Sequence, residues 1–159
     1  AGTSPGQVSL YQSGPGSANV IADVAGYFLG GSGPYQPGMY VPVTPARVLD
    51  TRSGSPLAGL TPLNLPKANL ANGGVPTTGV SAVVVNATVT DTHTAGYLTV
   101  YPGLSSLPTA SNLNWSGANA TTANLVTAQV GGDGSLNIFN GSPGSVSVIA
   151  DTAGYYVSY

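Results

Sequence analysis

The sequence predicts an all-β fold, and three observations carry that prediction. The chain of 159 residues holds 23 Gly and 13 Pro, spaced as turn punctuation between short runs rich in Val, Thr, Ile and Tyr. No window sustains an apolar period of 3.6 residues, and Glu is absent, so the pattern of an amphipathic helix is missing. Turn signals recur about every ten residues, the spacing of a sandwich or small barrel. An antiparallel β-sandwich of seven or eight short strands, jelly-roll or immunoglobulin-like, is the expected architecture.

The elements follow in order. Residues 6–28 read as two strands, Gln7 to Gln12 and Ala18 to Val24, joined as a hairpin by a Ser-Gly-Pro-Gly-Ser turn. Residues 29–40 have linker composition. The sandwich is expected over 41–159. Tyr40 to Asp50 is an edge segment, because Pro42 and Pro45 cannot donate to a central ladder. Thr51 to Pro66 reads as loop, and Asn72-Gly73-Gly74 as a turn. Val80 to Thr90, with Val83, Val84 and Val85 in succession, is the candidate central strand. Tyr97 to Tyr101 is expected to pair back on it. Ser111 to Trp115 is a further strand. Asn124 to Val130 and Ser135 to Phe139 suggest a hairpin over Gly131-Gly132-Asp133-Gly134, and Ser145 to Ala150 leads into a bend at Ala153-Gly154-Tyr155. The predicted core is Val83, Val85, Leu98, Val100, Leu113, Trp115, Leu125, Leu136, Ile138 and Val148.

One stretch occurs twice. Gly6 to Phe28 aligns without a gap with Gly134 to Tyr156, and 11 of the 23 positions are identical. The chain therefore holds one repeat and the tail of another. If the N-terminal copy formed only a two-stranded hairpin it would be marginal in water and would bare Val8, Leu10, Val20 and Ile21. Three arrangements would cover them. The segment adds strands to its own domain, completes a neighbouring subunit by strand addition, or ends a preceding repeat of a longer polypeptide. Each implies a docking face for strands, with those four residues as the contact.

Composition narrows the function. Charged residues are 5% of the chain, against roughly 25% in an average protein, so polar uncharged side chains and backbone must cover the surface. A surface with so little charge favours association. Net charge is −2, and the three cations Arg47, Arg52 and Lys67 are scattered. Nucleic acid and anionic membrane surfaces are thereby disfavoured as partners. Cys is absent, which removes disulfides and thiolate metal sites. Richness in Tyr, Thr, Asn and Gly with almost no Lys points to an extracellular protein. The absence of a signal peptide before Ala1 reads as a processed or excised form.

At Val43 to Arg52, VTPARVLDTR, a resemblance enters. Together with NATVTDTHTAGYLTVYP (86–102), ASNLNW (110–115), ANLVTAQVG (123–131) and VIADTAGYY (148–156), the segment resembles a tandem repeat of secreted and surface proteins from actinobacteria and related bacteria. The resemblance implies a surface-associated β-module and carries no activity with it. Many such repeats have a Cys where this chain has Gly103 and another where it has Asn137, which implies a bridge dispensed with here.

No catalytic constellation is legible, so no enzyme activity, cofactor or metal is expected. His93 is a lone histidine in a polar turn. Asp23 and Asp151 occupy equivalent positions in the two copies, which suggests a structural role, either an Asx-type bond or an ion pair with Arg47 or Arg52. Asp50 and Arg52 alternate around Thr51 and so share a face, where each is expected to satisfy buried polar groups. Tyr97, Tyr101 and Trp115 are candidates for stacking on sugars. The leading expectation is a structural module that self-associates into a filament, stalk or surface layer. A carbohydrate- or cell-wall-binding module is the second.

Overall fold

A computed structural model describes residues 8–20 and 34–159 of the chain. The chain divides after Gly33 into two units, Ala1–Gly33 and Pro34–Tyr159. The second unit is a sandwich of two four-stranded antiparallel sheets. Its elements are β1 (Tyr40–Asp50), β2 (Pro62–Leu65), α1 (Lys67–Asn72), β3 (Val80–Thr90), β4 (Gly96–Pro102), β5 (Leu113–Trp115), β6 (Thr122–Gln129), β7 (Leu136–Asn140) and β8 (Ser147–Val157). One sheet runs β1-β8-β3-β6 and the other β2-β7-β4-β5. The pairs β1·β8, β2·β7, β3·β6 and β4·β5 are each antiparallel, as in a long hairpin wrapped around a core. That nested order is the jelly roll rather than the immunoglobulin arrangement.

The core lies between the sheets. Val83, Val85, Ala87 and Val89 alternate inward from β3, and Leu98, Leu136, Ile138 and Val148 are fully enclosed. Burying each Leu, Ile or Val side chain contributes about 1.5–3 kcal/mol. Trp115 is enclosed as well, its indole N–H donating to the Thr94 carbonyl at 2.6 Å. Leu125 departs from expectation, with 61% of its surface exposed, while Val126 fills the inward position. The inward set of β6 is therefore Val126 and Ala128, one residue out of phase with Leu125.

Strand existence and strand pairing part company. β1 and β3 have the predicted bounds, β1 lies at a sheet edge, and β3 lies inside its sheet. The hairpins predicted between β3 and β4 and between β6 and β7 do not form, because in each case the two strands belong to different sheets. Both connections cross the sandwich, and a turn-rich loop serves a crossing as well as a hairpin. β2 and α1 fall where loop and turn were expected. β2 has four residues with a proline at its start, and α1 has six residues, too few for either to show a period. Leu70 anchors α1 in the core, and Gly74, at φ +83°, helps to end it.

The expected bend near Gly154 is a β-bulge. Gly154 faces Val84 while Thr152 faces Val85, so Ala153 is the extra residue, and β8 runs on unbroken to Val157. A Cβ on Gly154 would collide with the ring of Tyr40, whose hydroxyl donates to the Ala153 carbonyl at 3.0 Å.

Of the predicted N-terminal hairpin, the described part of the first strand, residues 8–12, forms no strand. Residues 8–20 contain no strand, only a bend at 14–16. Residue Ile21 and residue Asp23 lie outside the described residues, as does most of the second predicted strand.

Candidate functional site

Arg47, Asp50, Arg52 and Asp151 form a chain of ion pairs across β1 and β8. Arg47 reaches Asp151 at 2.9 Å and Asp50 at 3.3 Å, and Arg52 reaches Asp50 at 2.6 Å. Arg47 and Asp151 meet because the ladder sets them directly opposite each other. The hydrogen bonds from Arg52 hold the Asp50 carboxyl well below the usual carboxylate range. Asp50 and Arg52 do share a face, but they satisfy each other rather than buried groups. The buried polar contact falls to Thr51 between them, whose hydroxyl accepts the Val148 N–H at 2.8 Å. The cluster is matched in sign and exposed, an arrangement that fixes the β1 edge and leaves no charge in surplus for a ligand.

The three aromatics are not together. Trp115 and Tyr101 are buried and present no face to solvent, so neither is available for stacking on a sugar at the surface. Tyr97 alone is half-exposed. Its ring lies against Gly141 and 6.2 Å from Phe139, beside an open groove of about 380 Å³ that Leu107, Pro108 and Thr109 also line. His93 donates one hydrogen bond, from Nδ1–H to the Ser145 carbonyl at 2.9 Å. Among the described residues no three His, Cys, Asp or Glu side chains gather as a metal would require.

Gly103 follows the end of β4, and Asn137 lies within β7. Asn137 lies opposite Tyr101, and Gly103 bonds to the Ser135 carbonyl. Here Asn64 donates to Ser135 Oγ at 3.1 Å and to Asn137 Oδ1 at 3.0 Å, and Ser135 Oγ donates to Asp133 at 2.7 Å. The Ser135 hydroxyl, and after it the Ser135 backbone N–H, hold the Asp133 carboxyl below its ordinary range. A polar net thus ties the strands together at this point.

The repeated stretch is the more telling feature. Residues 134–156 are β7 and β8, and each of these strands has a neighbour on both sides. They lie in opposite sheets, so the stretch is no hairpin even within the sandwich. Leu136, Ile138 and Val148 are fully buried there. Their counterparts in the N-terminal copy, Val8, Leu10 and Val20, are 89%, 69% and 62% exposed. The same apolar spacing fills a core in one place and faces solvent in the other.

The two copies differ where β7 ends. Asn140 is fully buried; it donates to the carbonyls of Leu57, Ala58 and Gly144 and accepts the Ser142 N–H. Gln12 stands at that place in the N-terminal copy and is longer by a methylene. Gly141 lies under the Tyr97 ring, which leaves no room for a Cβ, and Ser13 is its counterpart. Ser142 bonds to Thr94 at 2.8 Å, and Gly14 replaces it. The N-terminal copy therefore does not fit the β7–β8 place of this sandwich, which is moreover filled.

No protein-family model matches the chain, and no curated protein matches it. Among the described residues no helix is long and apolar enough to cross a membrane.

Proposed function

We propose that this chain is an extracellular, non-catalytic structural module that associates with copies of itself through its N-terminal segment, building a filament, stalk or surface layer. One observation carries the reading. Val8, Leu10 and Val20 repeat the spacing of three core residues and stand uncovered. A partner surface that receives them recovers the free energy of burying three aliphatic side chains, about 1.5–3 kcal/mol each. The near absence of charge supports the same reading, since little repulsion opposes close approach of copies.

Deleting residues 1–28 tests it. The core of the sandwich is built from residues 41–155, so the shortened chain is expected to keep its far-ultraviolet circular dichroism. Negative-stain microscopy and sedimentation velocity should show assemblies for the full chain and dispersed particles for the deletion. An identical assembly state in both samples would overturn the proposal. The Tyr97 groove favours a second reading, a carbohydrate-binding module. Retention of dispersed chain on polysaccharide beads, lost in Tyr97→Ala, would support that reading instead.

A further inference from the structure

The four edges of the sandwich are unequal. β1 is blunted by Pro42 and Pro45 and by two irregularities in its register. β2 has four residues, begins at Pro62 and is followed by Pro66, and β5 has only three residues. β6 is different. Its eight residues, TANLVTAQ, contain no proline, glycine or charge, and they pair with β3 in unbroken register.

The orientation of its free groups follows from one bond. Val130 N–H donates to Ser81 at 3.1 Å, where the β3–β6 ladder continues past Gln129. In an antiparallel pair such residues alternate. The even positions of β6 therefore bond to β3, while Ala123, Leu125, Thr127 and Gln129 aim their N–H and C=O groups away from the sheet. Among the described residues no hydrogen bond reaches those outer groups. An exposed, neutral edge of this length is a template for one more strand.

We infer that the β6 edge is the acceptor for residues 8–12 of a second copy. This rests on the self-association proposed above and names its receiving surface. The segment is Val-Ser-Leu-Tyr-Gln, with no proline and no charge, and it aligns with β7, so its residue pattern already serves as a strand in this fold. The place that β7 occupies is closed to it by Asn140 and by the Tyr97 ring over Gly141. On β6 the alternation suits both partners. With Val8 and Leu10 turned toward the side of Val126 and Ala128, Tyr11 falls on the outer face beside exposed Leu125. Pairing β6 with β6 of another copy would leave Val8, Leu10 and Tyr11 bare. Donor and acceptor are different surfaces, so the contact is heterologous, the kind that propagates into an open filament where its rotation closes no ring.

Two measurements on the full chain test this. Thr127→Pro removes an outward N–H and leaves the bonds to β3 in place. Sedimentation velocity should show that assembly then needs at least a tenfold higher concentration, with the thermal midpoint little changed. Because the chain has no cysteine, Tyr11→Cys and Leu125→Cys chains can be mixed and oxidised. A disulfide joining the two different variants is expected, and it decides the matter even if Thr127→Pro fails to fold. Cross-links only between Leu125→Cys chains, or no cross-link, would overturn the inference, as would a Tyr11→Cys/Leu125→Cys double variant that closes within one chain. Assembly that survives Thr127→Pro but not deletion of 1–28 would move the acceptor elsewhere and leave the self-association reading standing.

Discussion

At the residue scale, Tyr40 and Gly154 act as one piece. The ring of Tyr40 occupies the space a side chain at Gly154 would need, its hydroxyl holds the bulged Ala153, and it packs at 5.3 Å against the ring of Tyr156. Burial raises the Tyr40 phenol above its ordinary value. Gly154→Ala is therefore expected to dislodge the ring and lower stability by about 1–3 kcal/mol in a urea titration. Tyr40→Ala together with Gly154→Ala should cost less than the sum of the single changes. The glycine was visible in the sequence as a turn signal, yet its reason was not, because the ring above it comes from a residue 114 positions away. The Arg47–Asp151 pair is legible for the opposite reason: the repeat makes Asp151 conspicuous, and among three cations Arg47 and Arg52 are the candidate partners.

At the element scale, the legible features were those with a long internal pattern. Eleven residues of β1 and eleven of β3 carry prolines or a valine run that place them without help from neighbours. Four-residue β2 and six-residue α1 owe their conformation to what they pack against, so their own letters say little. β6 lies between these cases. Its sequence suggests Leu125 inward, whereas Val126 and Ala128 are the buried residues, and a slip of one place exchanges the faces. The phase has a direct measurement. Leu125→Ser should change stability by less than about 0.5 kcal/mol, whereas Val126→Ser, which puts a hydroxyl in the core, should cost about 2–4 kcal/mol. Chemical denaturation of the two variants reads the difference. Of the candidate contact residues, Val8, Leu10 and Val20 were found through the repeat; the β6 edge was not, since an unpaired edge is a property of the sheet and leaves no mark on the strand's own sequence.

At the scale of the whole molecule, the topology sets how the sandwich forms. Tyr40 pairs with Tyr156, 116 residues on, and Asp50 with Ile149, 99 residues on. Such distant pairings require long loops to close before any ladder bond is gained. Refolding from urea, followed by Trp115 fluorescence, should therefore fall in the slow range of all-β domains, roughly milliseconds to seconds. A microsecond phase accounting for the whole amplitude would contradict the nested pairing.

The same pairing of β1 with β8 bears on tension. Where the chain enters the sandwich at Met39 and leaves it at Val157, the two strands are bonded to each other side by side. A pull on the flanking residues thus acts at one corner, along the rungs rather than across them. It opens the ladder a bond at a time, like a zip, with the Gly38 and Met39 bonds to Val157 as the first to part. Loaded through its flanks, the sandwich is a yielding link.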